Sequence, residues 1–131
     1  MDPGEAKKFR GSVARLNYLA QDRPDLSLAS CVLSTKMGSP MIGDEIGMKR
    51  VLRYLQGQPR LIIHYGWQTC PDKLDLFTDS DWASCHRTRR SKSGGCIVHG
   101  AHLLQFWCKQ QDRIAVSSAE AELKAACKRG V

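Results

Sequence analysis

Leu74-Asp75-Leu76-Phe77-Thr78-Asp79-Ser80-Asp81-Trp82-Ala83 is the stretch on which the fold turns. Its first half alternates with a period near two, the pattern of a strand with one covered face. If that extended geometry continues, side chains at alternate positions share a side, and Asp79 and Asp81 lie on the same face. A carboxylate pair there could ligate a hard cation such as magnesium, which takes oxygen ligands. Acidic residues at a strand's end also serve as turn formers or caps, so the pair has a plain structural reading beside the chemical one.

After the carboxylates comes His86-Arg87-Thr88-Arg89-Arg90-Ser91-Lys92, whose Arg87, Arg89, Arg90 and Lys92 carry permanent positive charge. Such a loop can hold phosphates without reading sequence, or it can act as a solvated segment that favours solubility. Cys96-Ile97-Val98-His99 and Leu103-Leu104-Gln105-Phe106-Trp107 then flank Gly100-Ala101-His102, which reads as a hairpin. Cys96, His99 and His102 have ligand-type side chains, but three-residue steps along a strand alternate faces, so a zinc site would depend on the Gly100 turn. Trp82, Phe106 and Trp107 suit either base stacking or a core.

The last element reads as a helix to the chain end, with an apolar stripe of Val116, Ala119, Leu123, Ala126 and Cys127. Ser117 and Glu120 have capping-box spacing, which gives Glu120 a structural role. Two residues turn a helix by about 200°, so Glu122 points elsewhere. It flanks the stripe, where it could look into a cleft or into solvent.

Upstream of the deciding stretch, Leu61-Ile62-Ile63-His64-Tyr65 is β-branched and reads as a further strand, and Gly66 to Lys73 as a linker. Before that the period is helical. Phe9, Val13, Leu16 and Ala20 mark one helix that stops at Arg23-Pro24. Asp25 stands as an N-cap ahead of Leu28, Ala29, Val32 and Leu33, with Gly38-Ser39-Pro40 as a stop. Met48, Val51, Leu52 and Leu55 mark a third helix, with Asp44 and Glu45 at its electropositive start and Gly57 just past its end.

Composition limits the classes. In 131 residues with 42% hydrophobic content there is enough for a core, so the chain is expected to fold at least in part rather than to be globally disordered. Lys and Arg number 20 against 13 Asp and Glu, a net charge of +7 that fits either a polyanionic partner or a generally basic surface. Six scattered cysteines without a Cys-x-x-Cys pair, and no signal-peptide pattern, predict reduced thiols in an intracellular setting, cytoplasmic or nuclear. No apolar run approaches the ~20 residues that span a bilayer, so no membrane role is expected. No phosphate-binding glycine loop or Ser-His-Asp order is present.

Taken in order, Thr78-Asp79-Ser80-Asp81-Trp82-Ala83, the Arg89-Arg90-Ser91-Lys92-Ser93-Gly94 loop, Trp107-Cys108-Lys109-Gln110-Gln111 and Ser117-Ser118-Ala119-Glu120-Ala121-Glu122 resemble the ribonuclease H of copia-type retrotransposons. Gly11-Ser12-Val13 through Ala20, Arg23-Pro24-Asp25-Leu26 and Lys49-Arg50-Val51-Leu52-Arg53-Tyr54-Leu55-Gln56-Gly57 resemble the segment joining reverse transcriptase to ribonuclease H in those Pol polyproteins. The resemblance implies an α+β chain. Residues 1–60 would form a helical reverse transcriptase tail, and residues 61–131 an incomplete ribonuclease H-like fold of three antiparallel strands and the first helix.

It further implies metal-dependent hydrolysis of RNA in an RNA–DNA hybrid, with a metal-activated water leaving a 5′-phosphate on one product. The cofactor would be magnesium, two ions in the intact family site. Asp79 and Glu122 match the family's catalytic metal ligands and Asp81 is a further candidate, while Arg87, Arg89, Arg90 and Lys92 would contact nucleic acid. Other partners would be the rest of the Pol polyprotein. The family's later acidic ligands have no counterpart here, Ser84 replaces a usual glycine and Gly95 a usual aromatic, so weak metal binding and negligible cleavage by the chain alone are expected. A nucleic-acid-binding remnant without catalysis and an inert fragment are the competing readings.

Overall fold

The computed structural model describes residues 1–127, so the expected run of the last helix to Val131 lies partly outside the described residues. The chain divides into two units, Met1–Ile63 and a second beginning at His64.

The N-terminal unit is helical. Helix α1 spans Pro3–Leu19, and its start is fixed by Asp2, whose carboxylate accepts the Gly4 N–H at 3.0 Å while the Asp2 N–H donates to Glu5 Oε2 at 3.2 Å. These bonds satisfy amides that a helix start leaves open. A short 3-10 turn at Pro24–Leu26 leads into α2, Ser27–Ser34, and α3 spans Ile42–Gly57. The core takes Phe9, Val13, Leu16 and Ala20 from the first segment, Leu33 from α2, and Met48 and Val51 from α3, closed by Leu26, whereas Leu28, which the spacing also picked out, is exposed.

Three local readings change. Asp25 does not cap α2, which has no side-chain cap; its carboxylate is taken by Arg23 and Tyr54 instead. A charged donor fork and a hydroxyl satisfy that carboxylate more fully than one backbone amide could. Gly57 is the last residue of α3 rather than the one beyond it, and Leu52 faces outward. At the start of α3, Asp44 accepts the Met41 N–H at 2.8 Å, in keeping with acidic residues at an electropositive helix end.

Leu61 to Tyr65 do not form a strand. β-Branched residues settle into a strand where a ladder partner is present; here Leu61, Ile62 and Ile63 are exposed, and Tyr65 OH donates to Leu103 O at 2.7 Å. Strands β1 (Asp75–Asp81), β2 (Lys92–His99) and β3 (His102–Gln110) form one antiparallel sheet in the order β1-β2-β3. Asp79 pairs with Gly94 and Ser80 with Ser93, while β2 and β3 meet at a two-residue turn between His99 and His102, with an irregularity at Ile97/Val98. Gly100 supplies the left-handed backbone of that turn, φ +61°.

Helix α4, Ser118–Cys127, packs on β1 and β2. It buries Ala121 and Ala125, not the expected stripe: Val116 and Leu123 are exposed, as are Ala119, Ala126 and Cys127. Small side chains allow close approach to the sheet, and polar ties set the rotation. Gln111 Nε2 donates to Ala121 O in the helix at 2.9 Å, and Trp82 Nε1 to Ala115 O in the segment just before it at 3.0 Å. Among the described residues the architecture is mixed, with four α-helices and a three-stranded antiparallel sheet. Among the described residues no helix is long and apolar enough to cross a membrane.

Candidate functional site

Asp79 and Asp81 are both exposed on β1, alternating with half-buried Thr78 and Ser80. The pleat fixes their direction. Ser80 Oγ accepts from the buried Gln111 amide at 3.3 Å, the same amide that donates to Ser93 Oγ at 2.8 Å and to Ala121 O in α4. Ser80 therefore faces the side of the sheet covered by α4. Asp79 and Asp81, one step either way, share the opposite side.

The segment between β1 and β2 closes on itself. Cys85 N–H donates to Arg90 O at 3.1 Å, and Arg89 N–H to Cys85 O at 2.7 Å. Two non-glycine residues take left-handed backbone there, Ala83 (φ 51°) and Arg89 (φ 54°), a conformation that costs roughly 1–2 kcal/mol per residue. At Ala83 the cost is offset by its N–H donating to the buried Ser91 Oγ at 3.0 Å. Gln110 Nε2 donates to Thr88 Oγ1 at 3.3 Å and ties the loop to β3.

Arg87, Arg89 and Arg90 are exposed on this loop. Lys92 is not: it is the first residue of β2, 8% exposed, and its Nζ donates to Ser84 Oγ at 2.9 Å. The serine that stands where the resembled family has glycine thus holds the ammonium inward. The loop presents three cations beside the carboxylates rather than four.

Inside the loop lies Cys85, 7% exposed. Its thiol is lowered from an ordinary 9.0 to about 7, first by the Thr88 hydroxyl and then by the Thr88 and Arg87 amides and the Gln110 side chain, against the opposing effect of burial. Nothing in the sequence pattern singled this cysteine out, because its donors come from the loop's fold.

Glu122 is exposed on α4. Glu120 is occupied structurally: Oε2 accepts the Val116 N–H at 2.6 Å, Oε1 meets Lys124 at 2.6 Å, and the Glu120 N–H donates to Ser117 Oγ at 3.2 Å. Its carboxyl is held below the ordinary range, first by Lys124 and then by that amide. The expected capping box forms with one change, since the glutamate reaches the amide of Val116 rather than that of Ser117.

Among the described residues no three His, Cys, Asp or Glu side chains come together to hold a metal ion, and this includes Cys96, His99 and His102. Magnesium needs near-octahedral oxygen ligation, and two exposed aspartates on one strand supply only part of it. These residues by themselves do not fit a complete magnesium site. Gln111 is the residue that motif reading missed. Its position at the end of Trp107-Cys108-Lys109-Gln110-Gln111 gave no hint that it joins β1, β2 and α4.

Gly95 also has a structural reason. A Cβ there would meet Trp107 and lie 2.5 Å from Phe77 O, so the Trp107 ring from β3 occupies the space that an aromatic at residue 95 would need.

No protein-family model matches the chain, and no solved structure matches it. Among curated proteins, it is 38% identical over 126 residues to an uncharacterized mitochondrial protein of Arabidopsis thaliana, covering 95% of this chain and 50% of that one. It is 36% identical over 126 residues to the retrovirus-related Pol polyprotein from transposon RE2 of the same plant, again 95% of this chain but 8% of the polyprotein. A secreted RxLR effector protein of Plasmopara viticola is 33% identical over 118 residues, 89% of this chain and 82% of the effector. The chain thus spans half of the mitochondrial relative and a small part of the polyprotein.

Proposed function

We propose, because the chain belongs to the family of retrovirus-related Pol polyproteins from copia-type transposons, that it is the stretch running from the end of reverse transcriptase into ribonuclease H. In this reading the N-terminal unit is the reverse transcriptase tail and the C-terminal unit an incomplete ribonuclease H-like fold. It acts inside the cell, on an RNA–DNA hybrid, as part of a larger polyprotein.

The observation that carries the reading is the adjacency of Asp79 and Asp81, exposed on one face of β1, to a loop presenting Arg87, Arg89 and Arg90. The arginines would bind hybrid phosphates through charge, without base readout. In this reading Asp79 and Asp81 would offer oxygen ligands to magnesium from one face of β1 and Glu122 from α4, on the other side of the sheet, so these residues would hold the ion only in part; magnesium, when bound, would supply an activated water for hydrolysis of the RNA strand. With the ligand set incomplete, the chain alone binds hybrid but cleaves it negligibly.

The test is incubation of the full chain with a labelled RNA–DNA hybrid and magnesium, with binding followed across a salt series. Salt-sensitive binding without turnover is expected. Clear turnover abolished by Asp79→Asn would overturn the prediction of negligible cleavage, and binding indifferent to salt would overturn the role of the loop.

A further inference from the structure

At the start of the C-terminal unit, residues 64–72 lie against the tip of the β2–β3 hairpin, held there by polar contacts. Tyr65 OH donates to Leu103 O at 2.7 Å, and its ring meets that of His102 edge-on, with centroids 5.2 Å apart. Gln68 Nε2 donates to His99 O at 2.8 Å, and Gln68 Oε1 accepts the Ala101 N–H at 2.9 Å. His99 Nε2 contacts Pro71 O at 3.0 Å, and His102 Nε2 contacts Gly66 O at 2.8 Å. The arm passes so close over Gly100 that a Cβ there would collide with Gln68 Oε1 and come 2.7 Å from Pro71 Cγ.

These bonds fix the proton on His102. The two backbone partners of Gln68 leave its amide one orientation, because a carbonyl must receive the Nε2 hydrogens and an N–H must meet Oε1. The same Gln68 Nε2 lies 3.1 Å from His102 Nδ1. Facing a donor, Nδ1 must be an acceptor, while Nε2 must carry hydrogen to reach Gly66 O. The bonding pattern thus requires the neutral Nε2–H form of the ring.

We propose that His102 is a proton-operated latch, which fastens residues 64–72 to the hairpin tip when neutral and releases them when protonated. A second proton places Nδ1–H against the Gln68 NH2 group. Turning the Gln68 amide over does not relieve this, since it sets Oε1 against His99 O and the NH2 group against the Ala101 N–H. Either way a contact is lost.

The groups facing His102 are Tyr65, Gly66 O and Gln68 from the arm; no carboxylate, lysine or arginine among the described residues is bonded to it. The neighbouring imidazole, His99, donates to Pro71 O through Nε2 and keeps that bond when protonated. The arm itself carries His64 and Asp72, and just beyond it Lys73 and Asp75 pair with each other at 3.3 Å.

The test uses the full chain. Long-range proton–nitrogen correlation of the imidazoles reads the tautomer, and hydrogen exchange reads the Ala101 amide, with the β2 amide of Cys96 as an internal reference. Expected are an Nε2–H ring at about pH 8 and, by about pH 5, the interval over which imidazoles take up a proton, about a tenfold loss of Ala101 protection with Cys96 unchanged. An Nδ1–H ring at the higher pH, or equal Ala101 protection at both, would overturn the proposal. Gln68→Glu replaces the opposing NH2 group by an acceptor for Nδ1–H and gives up the bond to His99 O at every pH, so in this variant the arm is held less well at high pH and acid should no longer lower the Ala101 protection further. Release persisting unchanged in Gln68→Glu would also overturn it.

Discussion

Asp25 receives two donors of the Arg23 guanidinium, Nε to Oδ1 at 2.9 Å and Nη2 to Oδ2 at 2.7 Å, while Tyr54 OH donates to the same Oδ2 at 2.8 Å. Arg23 also donates to Gln58 O at 3.1 Å and Pro59 O at 3.3 Å. Two residues on either side of Pro24 therefore fasten the chain beyond α1 to the end of α3.

The Arg23 bond, followed by that of Tyr54, holds the Asp25 carboxyl below its ordinary 3.8, against the opposing effect of burial. A depressed carboxyl stabilises the fold above its unfolded-state value, and the contribution disappears as pH falls through the folded-state value. Urea unfolding followed by circular dichroism should show Asp25→Asn less stable than the parent at neutral pH. The difference should shrink as the pH is taken below the ordinary carboxyl value of 3.8; a constant difference would contradict this linkage.

The loop arginines should act on nucleic acid as charges and Lys92 should not. In fluorescence anisotropy over a salt series, Arg87→Ala, Arg89→Ala and Arg90→Ala combined should make the log–log salt slope less negative by about 2–3, at ~0.7–0.9 per phosphate contact. Lys92→Ala should leave the slope unchanged, because its ammonium is committed to Ser84. Equal effects of Lys92 and of one arginine would contradict the inward placement.

Cys85 should be alkylated slowly, because it is buried, but with a pH midpoint near the value of about 7 that its donors impose. Thr88→Val removes the largest of them. Rates with iodoacetamide should then require higher pH, with the midpoint moving toward the ordinary thiol range. A midpoint unmoved by the substitution would mean that the Thr88 hydroxyl does not govern the thiolate.

Gly95→Ala should destabilise the C-terminal unit by ~1–3 kcal/mol, the usual cost of overpacking a filled site. The added methyl meets Trp107 and the Phe77 carbonyl together. Gly94→Ala is the control in the same strand, since its nearest atom, Trp107 O, is 3.8 Å away. Denaturant midpoints of the two variants decide this, and equal loss would show that β2 simply rejects side chains.

Much of the N-terminal unit was legible, because Phe9, Val13, Leu16, Met48 and Val51 are large, periodic and buried by the helices that their spacing marks. The hairpin at Gly100 was legible for a local reason, its turn chemistry. What escaped depended on partners distant in sequence. Asp25 looked like a cap because Tyr54 is 29 positions away, and Lys92 looked like a loop cation because β2 begins there. In α4 the stripe followed the largest apolar side chains, whereas burial went to Ala121 and Ala125, whose small size permits contact with the sheet. Asp79 and Asp81 could be placed on one strand face from alternation alone. That Ser80 turns toward Gln111 and α4, and the aspartates therefore away from it, required the fold.

The manner in which α4 is fastened also sets how its attachment responds to temperature. Gln111 holds it through the Ala121 carbonyl, Trp82 holds the segment just before it through that of Ala115, and its buried side chains are two alanines. Lifting the helix would wet little apolar surface, so the opening carries a small heat-capacity change and its equilibrium varies nearly linearly with temperature. The helical unit, whose interior is phenylalanine, valine, leucine and methionine, exposes far more and has the strongly curved stability profile of a hydrophobic core. Cooling and heating therefore move the two processes differently: the core passes through a temperature of greatest stability, while the clasp on α4 tightens steadily as the chain is chilled.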